Sequence, residues 1–291
     1  MAANYSIIIP HKDIPDLLQR CLDSIPVRDD VQVIVVDDDS DPAKVDFGQF
    51  PKWKGQRYEC HFDKAGKGAG HARNIGLDHA TGRWIVFADA DDFFNDEFNT
   101  LLDEVADAKE ELVFFDFINV LSDDITKRVE ERTYYRNYVR AYLAGDKSEH
   151  NLRVMFASPW CKLVKKDLIE RHHIRFSEVM QGNDIWFSAQ VGHFATTLAV
   201  SERIGYVLTS RKGSVASEML ATAKDFRVRT EEVLKCDKLL EPKYGAFARS
   251  NPWLRFVSRK VGSRKLAWFC IANVFHPQVF FRAFTFLVKM T

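Results

Sequence analysis

Residues Trp84–Phe94 read WIVFADADDFF, an apolar run that passes straight into Asp89, Asp91 and Asp92 and then into two more aromatics. The run Trp84–Phe87 reads as a short strand buried on both faces. Carboxylates crowded at its end repel one another, so a cation is the expected compensation. Working back toward the N-terminus, YSIIIP (5–10) is a β-branched run ending at Pro10. In DIPDLLQRCLDSI (13–25), Leu17, Leu18, Cys21, Leu22 and Ile25 share one helical face, with Asp13 as N-cap. VQVIVVDDDS (31–40) is a second strand, closing in Asp37, Asp38 and Asp39. Strand, helix and strand with continuous apolar strands predict a βαβ unit and a parallel sheet. Ligands of open α/β sheets bind beyond the carboxyl ends of the strands, so Asp38 and Asp89 are expected at one edge, framing a polar crevice.

Toward the C-terminus, GHARNIGLDHATG reads as a helix stopped by Gly82, and ELVFFDFINV as a further strand. TYYRNYVRAYLAG reads as helix, MFASPWCKLVKKDLIERHH as a loop then a helix, and NDIWFSAQVGHFA as a helix opening near Asn183. Beyond about Ser217 the pattern turns helical, then basic and aromatic.

The 291 residues, 46% hydrophobic and 28% charged with 23 Phe, suit a globular chain with a large core. Five scattered cysteines (Cys21, Cys60, Cys161, Cys236, Cys270) form no C-x-x-C, which argues against a disulfide framework or a zinc site and fits a reducing compartment. The nine histidines show no metal spacing. The opening MAANYSIIIP lacks a signal peptide's basic region, and no stretch offers the roughly 20 apolar residues of a membrane span, so a cytoplasmic protein is expected. The net charge of zero is unevenly spread. From Pro252 onward the charged residues are Arg255, Arg259, Lys260, Arg264, Lys265, Arg282 and Lys289, with no acid among them. That tail suits a helix on the anionic inner face of a membrane, a helix packed on the body, or a homo-oligomer contact. The acidic body argues against nucleic acid.

The glycine-rich KAGKGAGHARN fails the dinucleotide fingerprint because His71 stands where the third glycine belongs, and no P-loop occurs. An aspartyl phosphatase is disfavoured by Phe93 and by the motif's depth in the chain. What remains is a divalent cation, Mn²⁺ or Mg²⁺, held by Asp89 and Asp91 and bridging a diphosphate. On the tripeptide alone, a solvated loop or a helix cap is the better reading.

The surrounding motifs add weight. SIIIPHKD, VIVVDDDS, GAGHARNIGLDHATGRWIVFADADD, PWCKL followed by NDIWF, and RKGSV stand in an order and spacing that resemble the inverting family 2 glycosyltransferases of GT-A fold, over about residues 5 to 216. The resemblance implies an α/β fold with a mixed, mostly parallel sheet flanked by helices and a helical C-terminal extension. It divides the chain into a catalytic domain, 1–218, and an extension, 219–291. The catalytic domain has a nucleotide-binding half, 1–118, and an acceptor half, 119–218.

The activity implied is metal-dependent transfer of a hexosyl or hexosaminyl unit from a nucleotide-diphosphate sugar to a hydroxyl of a glycan or lipid-linked acceptor, as in bacterial surface-polysaccharide synthesis. By the resemblance, Asp38 bonds the nucleotide base and Pro10 shapes the turn beside it. Arg73 and Asn74 lie on the donor side, where a guanidinium matches phosphate geometry. Asp89 reaches ribose and metal, and Asp91 the metal. Arg211 approaches the diphosphate, and Trp160 and Lys162 line the acceptor site. Asp184 is the base, because an inverting displacement needs one carboxylate to take the acceptor's proton. Each has a plainer alternative: a turn for Asp38, a surface cation for Arg73 and Arg211, core for Trp160, an N-cap for Asp184. Two positions depart from the family pattern: Asp39 stands where it has glycine, and Asn183 where it has glutamate. The departures keep open a catalytically inactive nucleotide- or glycan-binding relative. A metal-dependent nucleotidyltransferase is the third possibility.

Overall fold

In the computed structural model, residues 3–130, 133–146, 148–211 and 222–288 are described. The N-terminal half comprises β1 (Tyr5–His11), α1 (Pro15–Asp23), β2 (Val31–Asp38), β3 (Arg57–Asp63), α2 (Ala69–His79) and β4 (Trp84–Phe87). Then come β5 (Phe93–Phe94), α3 (Glu97–Val105), β6 (Leu112–Leu121), α4 (Thr133–Ala141), β7 (Lys162–Lys165), α5 (Lys166–Arg171), α6 (Asn183–Phe194) and β8 (Leu198–Ser210). The C-terminal extension holds α7 (Ala223–Tyr244), α8 (Ser250–Ala272) and α9 (Pro277–Val288).

The strands form one mixed sheet in the order β3-β2-β1-β4-β7-β6-β8-β5. β1, β2, β3 and β4 are parallel, as is β6 with β8, while β7 and β5 enter antiparallel. Every residue of β1, β2 and β4 is buried, as continuous apolar runs at the centre of a two-sided sheet require. Pro10 pairs with Val36 beyond the point where β4 stops, so its missing N–H leaves no bond to β4 unmade. Helix α2 lies against β1 because Gly76 lets it approach: a Cβ there would fall 2.4 Å from Ile8 Cγ2.

The structure differs from the sequence reading at several elements. Asp13 is not the N-cap of α1; it takes φ 61° and accepts hydrogen bonds from Asp41 N–H and Lys44 Nζ across the β2 loop. KLVK, read as part of a helix, is strand β7 between β4 and β6. Strands β3, β5 and β8 and helix α3 were not anticipated, and α2 ends at His79, short of Gly82; β3 is a half-buried edge, and β8 has a polar middle.

A single apolar core runs through the sheet and its layers. A second one joins α7, α8 and α9 to Val154, Ile185 and Ala189, so the extension is seated on α6. Helix α8 bends at Gly262, whose φ is 79°. Among the described residues, no helix is long and apolar enough to cross a membrane. The expected division at 218/219 falls outside the described residues, as do Gly213 and Ser214 of the RKGSV motif.

Candidate active site

At the ends of β1 and β2 a buried relay fixes the backbone. His11 Nδ1 bonds Asp37 Oδ1 at 2.7 Å, and Ile14 N–H points at His11 Nε2, which puts the ring's proton on Nδ1. Ser40 donates to the same Asp37 carboxylate from 2.5 Å. Asp39, at φ 59°, takes a left-handed turn, a conformation glycine adopts freely and aspartate tolerates better than most residues. The turn leaves Asp38 facing the cleft, its carboxylate accepting from Gly68 N–H at 3.0 Å. Burial raises the Asp38 carboxyl above the ordinary range, against the pull of that N–H.

At the end of β4 the three aspartates divide. Asp89 pairs with Arg73 Nη2 at 2.6 Å. Arg73 is buried, and its Nη1 reaches Asn183 Oδ1 at 2.9 Å, so one guanidinium ties the end of β4 to the start of α6. Asn183 thus serves as a neutral acceptor at the position that departs from the family pattern. Asp91 pairs with Arg211 Nε at 3.0 Å and keeps 22% side-chain exposure. Burial raises its carboxyl, the neighbouring Asp89 charge adds to this, and Arg211 opposes both. Asp92 is buried, accepting from Tyr206 Oη at 2.8 Å and Thr209 N–H at 2.7 Å. Burial, then Asp91 and Asp89, push it well above the carboxylate range. Arg20 and Thr209 donate to the Asp91 carbonyl at 2.6 and 2.7 Å, fixing the turn from two sides.

Asp184 stands in the first turn of α6, after Gly182 in the left-handed region at φ 79°. It borders the cleft, and no described side chain hydrogen-bonds its carboxylate. The cleft measures about 370 Å³ and brings together Pro10, Asp38, Arg73, Asp89, Asp91, Trp160, Asp184 and Arg211. Trp160 contributes little surface, being 1% exposed and stacked on Tyr206 at 5.8 Å.

Two expected site residues are not on the cleft. Lys162 is buried beneath it, its Nζ donating to Phe156 O, Ser158 O and Ser188 Oγ at 2.8, 2.7 and 3.1 Å. Asn74 lies a helical step round from Arg73 and stitches α2 to Phe176 through its backbone N–H and C=O. Conversely, Tyr206, Thr209, Gln181 and Arg229 stand at or behind the cleft without having been singled out. The short apolar run 206–208 is the sequence signal for Tyr206; the other three carry none in the sequence.

The donor set fits a hard divalent cation. Asp89 and Asp91 offer hard carboxylate oxygens at one strand end, both on the cleft, the kind of ligand such a cation takes. A separate group, Glu59, His61 and His79, gathers its ligand atoms within 4.8 Å on edge strand β3 and the end of α2, away from the cleft. Sequence spacing hid it because His79 arrives from another element.

Residues 6–172 match the model of the family described as Glycosyl transferase family 2. The chain belongs to glycosyl transferase family 2. Relatives within reach include the poly(ribitol-phosphate) beta-N-acetylglucosaminyltransferase TarS of Staphylococcus aureus (strain MW2), 24% identical over 80% of this chain and 41% of its own length. The succinoglycan biosynthesis protein ExoO of Rhizobium meliloti (strain 1021) is 26% identical over 75% of this chain and 64% of its own length. The chain therefore spans less than two thirds of either relative.

The crystal structure of S. aureus TarS 1-349 superposes with a TM-score of 0.63 at 17% identity, covering 96% of this chain and 80% of that one. The same fragment in complex with UDP-GlcNAc superposes at 0.60 and 18% identity, covering 92% and 80%. The shared fold is GT-A: a mixed sheet between helical layers, with a helical C-terminal region. In this family 2 chain the matched residues hold Asp38, Arg73, Asp89 and Asp91; Gln181, Asp184, Arg211 and Arg229 lie beyond them.

Proposed function

We propose that this family 2 chain is a metal-dependent, inverting glycosyltransferase using a uridine-diphosphate sugar, with a hydroxyl of a cell-surface glycan or lipid-linked glycan as acceptor. The observation that carries it is the meeting of Asp38, Asp89, Asp91 and Asp184, from three separate elements, on one cleft. Asp38 and Pro10 take the base side, and Asp89 takes the ribose. Arg73 holds Asp89 in place through its 2.6 Å pair. Mn²⁺ or Mg²⁺, when bound by Asp91 and Asp89, supplies Lewis-acid stabilisation of the leaving diphosphate. Arg211 sits 3.0 Å from Asp91, placed to share the negative charge there. Uridine as the base is supported by the UDP-GlcNAc and UDP named in the TarS complexes.

Asp184 takes the proton of the acceptor hydroxyl as its oxygen attacks the anomeric carbon. The bond from that carbon to the diphosphate oxygen breaks on the opposite face, and the nucleoside diphosphate departs with the electron pair. The configuration inverts, and no second carboxylate is required to carry the sugar. The basic, aromatic extension supports a seat on the inner face of the cell membrane, within reach of a lipid-linked acceptor.

The test is release of UDP from UDP-GlcNAc. Release is expected to require Mn²⁺ or Mg²⁺ and to stop with EDTA. Asp184→Asn is expected to lower kcat by about 10²–10⁴-fold, the range of general-base catalysis, while UDP affinity is kept. Release unaffected by EDTA sinks the metal assignment, and an Asp184→Asn variant near full activity sinks the base.

A further inference from the structure

We propose that α7 completes the acceptor side of the cleft, where Arg229 and Gln181 hold an anionic group of the acceptor, a phosphate or a carboxylate. This rests on the transferase function above and adds the chemical class of its acceptor. Arg229 lies in the extension, outside the residues that match the family. Its stem passes so close to Gly182 that a Cβ there would stand 3.3 Å from Arg229 Cγ. It borders the same cleft as Asp184, two residues further along.

The charges on the cleft separate Arg229 from the other arginines. Arg73 is paired with Asp89 at 2.6 Å and Arg211 with Asp91 at 3.0 Å. Among the described residues no carboxylate lies within ion-pair distance of Arg229. Its guanidinium lies over the Trp253 ring at 5.3 Å, an arrangement that orients the group and, among the described residues, leaves its N–H edge without a carboxylate. Among the described residues, neither Arg229 Nε nor Gln181 Oε1, both enclosed, has a hydrogen-bond partner. Each side chain borders the cleft beside Asp184 and carries one unpaired polar atom beneath its surface. A sugar phosphate or a uronate presents both complements, an oxyanion for Arg229 and a hydroxyl for Gln181. An anion approaching the carboxylates of Asp184, Asp89 and Asp91 is repelled unless a cation accompanies it, and Arg229 is placed to supply that charge.

The experiment loads the full chain with saturating UDP and Mg²⁺ and titrates small probes by calorimetry: sn-glycerol 3-phosphate and glucuronate against glycerol and glucose. UDP saturation keeps the phosphate probe out of the donor site. The anionic probes are expected to bind and the neutral ones not. Arg229→Gln is expected to weaken anion binding about tenfold or more, the loss of one charge-assisted contact, with UDP binding retained as evidence of folding. Arg229→Lys is expected to restore part of it. A preference between the two anions identifies phosphate or carboxylate as the group. Equal affinity for anionic and neutral probes, or anion binding indifferent to Arg229→Gln, overturns the proposal while leaving the donor side intact. Failure of the wild-type chain to bind UDP overturns the donor assignment instead.

Discussion

The Lys162 ammonium sits among three oxygens, two of them backbone carbonyls, below the floor of the cleft. Burial draws its pKa well below that of an ordinary lysine, the Arg249 charge adds to this, and Asp184 opposes it. A group so enclosed holds the Phe156–Ser158 turn rather than an acceptor. Lys162→Met removes the donor to all three, Ser158 O keeping only a 3.4 Å contact from Ser188 Oγ, and is expected to destabilise the fold by about 1–3 kcal/mol, the cost of a buried acceptor left unpaired. UDP affinity should stay within twofold. Thermal melts with and without UDP check both, and a variant as stable as the parent would show the three bonds to be dispensable. The same scale explains which site residues could be read in advance. Asp38, Asp89, Asp91 and Asp184 stand at strand ends or a helix start, where residue type and position coincide. Lys162 and Asn74 stood in motifs too, but the side chain of each turns inward, and no one-dimensional spacing reports that. Asp39 takes φ 59°, a conformation that glycine adopts freely, and Asn183 accepts from Arg73 Nη1.

Helix α2 carries Arg73 to the cleft, and its seat on β1 depends on the missing side chain at position 76. A methyl group there meets Ile8 Cγ2 at 2.4 Å, inside a fully buried strand. Gly76→Ala is expected to destabilise by about 1–3 kcal/mol from overpacking, less about 1 kcal/mol that alanine returns as a better helix former. Displacement of α2 should also loosen the Arg73–Asp89 pair and weaken UDP binding. Urea unfolding and a UDP titration measure the two effects, and a gain in stability would show that α2 stands further from β1 than the structure has it. Elements differ in legibility for a physical reason. β1, β2 and β4 are buried on both faces, so each holds a continuous apolar run: 7–9, 33–36 and 84–87. Edge strand β3 reads RYECHFD, with polar side chains on a half-buried surface. β7 is four residues running directly into a helix, and β8 takes its place by pairing with β6 far back in the chain. Those pairings are decided by tertiary contact, and local pattern carries little of them.

At the scale of the whole molecule, the extension has two apolar faces. Leu266, Phe269, Cys270, Val279, Ala283 and Phe286 are buried in the core it shares with α6. Trp268 and Ile271 at the end of α8, Phe275 in the turn that follows, and Phe281, Phe284 and Val288 along α9, are exposed instead, Phe275 by 92%. The α9 set repeats at i, i+3 and i+7, one stripe of a helix. Exposed cations Arg255, Arg259, Lys260, Arg264 and Lys265 accompany them on α8, and no acid occurs from Pro252 to the end. An apolar stripe with a one-sign charge field matches an anionic lipid surface, each cation contributing about 1 kcal/mol near the headgroups. The chain is expected to sediment with phosphatidylglycerol vesicles and to stay in solution with phosphatidylcholine ones. Recovery should fall as salt rises toward about 1 M, where the screening length shrinks to about 3 Å. Reversing two charges, Arg264→Glu with Lys265→Glu, should lower partitioning by about tenfold or more, because attraction becomes repulsion at two sites. Replacing Trp268 and Phe275 with serine should lower it on any vesicle, by loss of apolar area. UDP binding by both double variants reports that the cleft is unchanged. Equal recovery on neutral and anionic vesicles would remove the electrostatic part. Absence of binding to either, with a doubled mass in solution, would assign the stripe to a second copy of the chain.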